Sequence, residues 1–95
     1  MNRFARVDSN HAQVIRLLRK CGATVLDCSA ARGLGFDAIV LTRGRLYLAE
    51  IKDGTLSPSR RALTDAEARA RDAFPNHWRL IESEQDALAL VSAAP

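Results

Sequence analysis

Residues 35–54 constrain the fold more than any other part of the chain. They read Gly-Phe-Asp-Ala-Ile-Val-Leu-Thr-Arg-Gly-Arg-Leu-Tyr-Leu-Ala-Glu-Ile-Lys-Asp-Gly. Two runs of β-forming residues flank Arg43-Gly44, and Gly44 supplies the positive φ that a tight turn needs. This predicts a hairpin with Thr42 facing Arg45, Leu41 facing Leu46, Val40 facing Tyr47 and Ile39 facing Leu48. Carried two steps further, the same register sets Asp37 opposite Glu50. Directly opposed residues share a sheet face, about 4.5–5.5 Å apart at Cβ. Lys52 follows Glu50 by two residues and points to the same side.

Two opposed carboxylates repel, so something positive belongs between them. Lys52 is one candidate. A divalent cation with oxygen ligands is the other, because Mg²⁺ is typically held by one or two carboxylates, waters and substrate phosphate. The plainer alternative is an ion pair of Lys52 with Glu50 or Asp37 at a sheet end.

Asp37, followed by Glu50-Ile51-Lys52 at the end of the next strand, resembles the PD-(D/E)XK nuclease motif. The closer similarity is to small phage-type VRR-nuclease and Holliday-junction-resolvase-like proteins. It extends from a helix near Asp8 through Arg-Gly-Arg-Leu-Tyr-Leu-Ala-Glu-Ile-Lys-Asp-Gly to Pro58-Ser59 and Leu63-Thr64. Phe36 stands where that family usually has proline, and Gln13 where many relatives carry a helix glutamate. The resemblance implies a restriction-endonuclease-like core. It implies a metal-dependent endonuclease that hydrolyses DNA phosphodiester bonds, with branched DNA among its substrates. Asp37 and Glu50 would hold Mg²⁺ or Mn²⁺ together with the Ile51 carbonyl. Lys52 would be catalytic and Gln13 an outer helper. The alternative is a non-catalytic nucleic-acid-binding or assembly protein that keeps the nuclease fold, and a third reading is an interaction subunit of a larger complex. Junction symmetry and small size suggest a homodimer.

Ninety-five residues make one domain, residues 1–95, with a single modest core. There is no apolar run long enough for a membrane span and no apolar signal core near the N-terminus, which predicts a cytoplasmic protein; the resemblance to phage-type proteins implies a bacterium or phage-infected host. Cys21 and Cys28 lack metal-ligand spacing and read as reduced core residues. The net charge of +3 hides an asymmetry: residues 1–61 hold 11 Lys/Arg and 5 Asp/Glu, whereas residues 62–95 hold 3 and 6. The motif therefore lies in the basic half, as a polyanion-binding surface requires. Arg32, Ser59, Arg60 and Arg61 are the candidate contacts to DNA; ordinary solvated surface is the alternative.

Along the chain, residues 1–7 form an arm. A helix capped by Asp8 or Ser9 runs to about Cys21, with Val14, Leu17, Leu18 and Cys21 as its apolar stripe. Ala23–Cys28 is a strand, and Ser29–Gly35 a loop whose glycines match no dinucleotide or P-loop fingerprint, which argues against a small-molecule cofactor. Both hairpin faces are apolar near the middle, which predicts helices on both sides. Asp53–Arg61 is a polar loop. Thr64-Asp65-Ala66-Glu67 is a capping box opening a helix to about Phe74, and Glu67 reads as the cap partner rather than a catalytic acid. A strand over His77–Ile81 and a helix from Ser83 follow, buried through Ala87, Leu90 and Val91, with a tail at 92–95. His11 and His77 read as surface or strand-edge residues, Tyr47 and Trp78 as core. The predicted class is α/β: a mixed four-stranded sheet flanked by helices, in the order α-β-β-β-α-β-α.

Overall fold

A computed structural model describes residues 8–92. The element order is α1 (His11–Lys20), β1 (Thr24–Asp27), β2 (Ala38–Thr42), β3 (Arg45–Ile51), a short 3₁₀ turn (Pro58–Arg61), α2 (Asp65–Ala73), β4 (Trp78–Ile81) and α3 (Glu84–Ser92). The fold is α/β, with one four-stranded mixed sheet in the order β1-β2-β3-β4. The arm at 1–7 and most of the tail lie outside the described residues.

The hairpin has the predicted register, from Thr42↔Arg45 to Ile39↔Leu48, and continues to Ala38↔Ala49. Its turn sits at Arg43-Gly44, both with positive φ (51° and 75°), as a two-residue connection demands. β1 adds antiparallel to β2. β4 returns through α2 and pairs parallel to β3, with Glu50 beside Leu80. A parallel neighbour requires such a crossover, because a tight turn cannot reverse the chain twice.

One sheet face is fully covered. Val25, Ala38, Val40, Tyr47, Ala49, Ile51 and Ile81 pack with Val14, Ile15 and Leu18 of α1 and Ala87 and Val91 of α3. Ala38 and Ala49 are completely buried, and their small side chains let the helices come close. Each fully buried Leu, Ile or Val here contributes about 1.5–3 kcal/mol. The opposite face differs from the prediction of helices on both sides. α2 covers only the end that carries Glu50, while Leu41 and Leu46 beside the hairpin tip, and Leu26 on edge strand β1, are exposed. Alternation cannot distinguish the faces here, because both are apolar in the middle.

α1 differs as well. Its N-cap is Asn10, not Asp8 or Ser9, and the Asn10 side chain makes no capping bond. Its buried stripe is His11, Val14, Ile15 and Leu18; Leu17 is only partly buried and Cys21 is exposed. Cys28 is half-buried, so neither cysteine belongs to the core. Trp78 and Tyr47 are core residues. His77 is exposed at the strand edge, with Nδ1 3.0 Å from the Leu46 carbonyl oxygen.

No helix among the described residues is long and apolar enough to cross a membrane.

Candidate functional site

The β2–β3 ladder stops one pair before Asp37. The Asp37 N–H donates to the Ala49 carbonyl at 2.8 Å, and its own carbonyl accepts the Cys28 N–H at 2.7 Å. Asp37 therefore leaves the strand while still anchored on both sides. Its carboxylate turns toward β3, where Oδ2 accepts the Ile51 N–H at 2.8 Å. Glu50, 4% exposed, is one of two buried polar or charged residues among those described. Lys52 continues from β3, with Nζ 3.7 Å from Glu50 Oε2.

A third acid joins them from α2. Glu67 Oε1 accepts from Lys52 Nζ at 2.8 Å and from the Thr64 N–H at 2.9 Å. The capping box forms as the sequence predicts, closed by Glu67 N–H to Thr64 Oγ1 at 3.2 Å. Glu67 is thus the cap partner and, at the same time, the closer ion partner of Lys52.

α2 can approach because of Gly35. Its φ is +84°, and a Cβ there would collide with the Ala66 carbonyl and stand 2.7 Å from the Ala70 side chain. The Trp78 indole N–H donates to the Gly35 carbonyl at 2.9 Å and pins the same loop from below.

Electrostatics follow from this crowding. Burial, then Asp37 and Glu67, push the Glu50 carboxyl up to about 9, with Lys52 opposing. Burial also raises Asp37, although the Ile51 N–H and the Glu50 side chain pull the other way. Burial acts to raise Glu67, but Lys52 and the Thr64 N–H hold it below its ordinary value. Burial would lower Lys52, yet Glu67 keeps it raised. Around neutral pH the arrangement is an ionised Glu67–Lys52 pair beside two carboxyls that compete for a proton.

Two clefts meet at this cluster. One, about 230 Å³, is bounded by Asp37, Glu50 and Glu67 together with Arg32 and the 29–36 loop. The other, about 600 Å³, is bounded by Asp8, Ser9, Lys52, Asp53, Arg60 and the Thr64–Glu67 turn. Arg32 and Arg60 are exposed on those clefts, and Ser59 is exposed with its hydroxyl 3.4 Å from that of Ser57. Arg61 is committed elsewhere: it pairs with Glu82 and donates to the Leu56 carbonyl at 2.9 Å.

Gln13 lies exposed on α1 and lines neither cleft. The residues that reach the site come just before α1. Ser9 Oγ donates to Asp53 at 2.7 Å, and Asn10 Nδ2 donates to the Lys52 carbonyl at 3.1 Å. Asn10 is thus diverted from capping its own helix to holding the strand end. His11 is buried, contrary to its reading as surface, with Nε2 3.1 Å from Asp27. Burial acts to raise Asp27, but Ser29 and His11 hold it below its ordinary value.

Among the described residues no group of three or more His, Cys, Asp and Glu side chains is arranged to hold a metal ion. Asp37 and Glu50 supply two hard oxygen donors, and each takes up a proton more readily than an ordinary carboxyl. That donor set suits Mg²⁺ or Mn²⁺, which complete their shells with water and phosphate, and does not suit a metal needing nitrogen or sulfur.

No family model matches the chain, and no curated protein or solved structure matches it.

Proposed function

We propose that the protein is a metal-dependent DNA endonuclease with a restriction-endonuclease-like core, of the resolvase-like kind its motif resembles. The observation that carries this reading is the meeting of Asp37 and Glu50 at an open cleft, with Lys52 beside them. Asp37 and Glu50 would hold Mg²⁺ or Mn²⁺, with the Ile51 carbonyl as a further donor. The cation would polarise a phosphate oxygen and acidify a water. Lys52, a compact cationic donor, would orient that water and offset charge gathering on the phosphate. The water oxygen would bond to phosphorus while its proton passes to bulk solvent, the ester P–O bond would break, and the departing oxygen would take a proton from solvent. Arg32 and Arg60 flank the clefts and would hold the phosphate backbone on either side.

The direct test is Mg²⁺- or Mn²⁺-dependent cleavage of branched and linear DNA, with Glu50→Ala and Lys52→Ala as controls. Cleavage that survives both substitutions removes the assignment. Light scattering tests the homodimer that a two-fold junction substrate calls for; a monomer at working concentration removes it.

A second reading keeps the fold and the DNA but not the chemistry. Gln13 in place of a helix glutamate favours it, since α1 contains no acid to offer a metal. Salt-dependent DNA binding without cleavage in either metal selects it.

A further inference from the structure

Glu67 and Thr64 are the residues that border both clefts, so the first turn of α2 forms the wall between them. Lys52 Nζ is at that wall, 2.8 Å from Glu67 and 3.7 Å from Glu50. Both members of the shorter pair are largely buried, 12% and 13% exposed at the side chain. A charge so placed is directed by its nearest counter-ion, and here that is the acid on α2. We propose that Glu67 is a positioning residue for Lys52: it holds the ammonium at the wall between the clefts until a phosphate oxygen of a bound strand takes its place. The phosphate in this statement rests on the nuclease reading; the hold of Glu67 on Lys52 does not.

The capping box does not require a charge at position 67, because glutamine serves there as well as glutamate. Glu67→Gln therefore keeps α2 capped and removes only the counter-ion. Asp65→Asn removes one charge from the same helix turn, at an exposed position, and controls for bulk electrostatics. The sequence provides an internal reference for the readout. It has two lysines, Lys52 and the exposed Lys20 on α1.

The experiment is competitive acetylation of the full chain with limiting acetic anhydride at neutral pH, read by mass spectrometry as the Lys52/Lys20 ratio. It is paired with fluorescence anisotropy of a labelled DNA duplex in EDTA. In the native protein Lys52 reacts more slowly than Lys20. Glu67→Gln raises the ratio about threefold or more, because the amine freed from its counter-ion is no longer held in one buried geometry and reaches the reagent, and Asp65→Asn leaves it unchanged. Glu67→Gln also tightens duplex binding by more than Asp65→Asn does. An unchanged acetylation ratio in Glu67→Gln overturns the proposal, leaving Glu67 a cap alone. Equal binding shifts in the two variants, or no duplex binding by any of them, overturn the exchange with phosphate. Failure of cleavage with the acetylation result intact strikes the nuclease reading and leaves the Glu67–Lys52 hold standing.

Discussion

Asp37 and Ile51 are joined by one hydrogen bond, from the Ile51 N–H to Asp37 Oδ2 at 2.8 Å. It ties the acid that precedes β2 to the residue between Glu50 and Lys52. The bond therefore sets the spacing of the three side chains, and Asp37 has a structural duty beside its proposed chemical one.

The two duties separate in two variants. Asp37→Asn retains an oxygen acceptor for the Ile51 N–H, so its melting temperature stays close to that of the native protein. Its metal-dependent cleavage falls about a hundredfold or more. Asp37→Ala loses the acceptor too and leaves a part-buried N–H unpaired, which costs a further 1–3 kcal/mol or about that. Thermal melts and cleavage rates of the pair check both outcomes. Equal melts for the two variants would show that the bond does not hold the strand end.

Glu50 gives a pH dependence with a definite sign. Its folded value of about 9 lies above the ordinary glutamate value of 4.5. The folded state thus binds the proton more tightly than the unfolded chain does. The associated stability is full below about 4.5, declines as pH rises, and is gone above about 9. Melting temperatures of the metal-free protein will fall across that window, and Glu50→Gln, which mimics the protonated acid, will flatten the fall. On the proposed reading, a cation bound at Glu50 displaces that proton, so calorimetry of Mg²⁺ or Mn²⁺ addition in buffers of different ionisation enthalpy should show proton release near neutral pH. Wild type and Glu50→Gln with the same pH slope would refute this.

The hairpin was legible because Gly44 and the alternation around it leave few registers. The capping box was legible because Thr64 and Glu67 have the spacing that local bonding needs. The openness of the outer sheet face was not, since Ile39, Leu41, Leu46 and Leu48 look like core whichever side is covered. The stripe of α1 is obscured in the sequence for a related reason. His11, Val14, Ile15 and Leu18 have the same 0, 3, 4, 7 spacing as the predicted set, but a histidine at its head hides it. Asn10 reads locally as an ordinary cap; only the tertiary structure shows it turned to the Lys52 carbonyl. The second role of Glu67 was masked because its first role already accounted for the residue.

Gly35 couples the fold to the site. Its positive φ and the nearness of Ala66 and Ala70 leave no room for a side chain. Gly35→Ala adds backbone strain and forces α2 outward, for a combined cost of about 2–5 kcal/mol. Because α2 carries Glu67, the Lys52 environment shifts as well. The variant should melt about 10–30 °C lower, a range that follows from the size of the domain. A native melt would mean that α2 does not rest on this loop.

Arg60 and Arg61 are adjacent in sequence, and both were candidates for DNA contact, yet they separate by structure. Arg60 is exposed on the Lys52 cleft. Arg61 is half-buried, pairs with Glu82 and bonds the Leu56 carbonyl. Arg60→Ala should leave the melt unchanged, weaken duplex binding and lower the salt slope by about one ion. Arg61→Ala should lower stability by about 1–3 kcal/mol, because a part-buried carboxylate and a carbonyl lose their donor. Any loss of DNA binding in Arg61→Ala should track its unfolding and recover on cooling. Anisotropy titrations at several salt concentrations, run beside thermal melts, distinguish the two residues. A salt slope lowered by Arg61→Ala in the folded protein would instead place that guanidinium on the backbone of the bound strand.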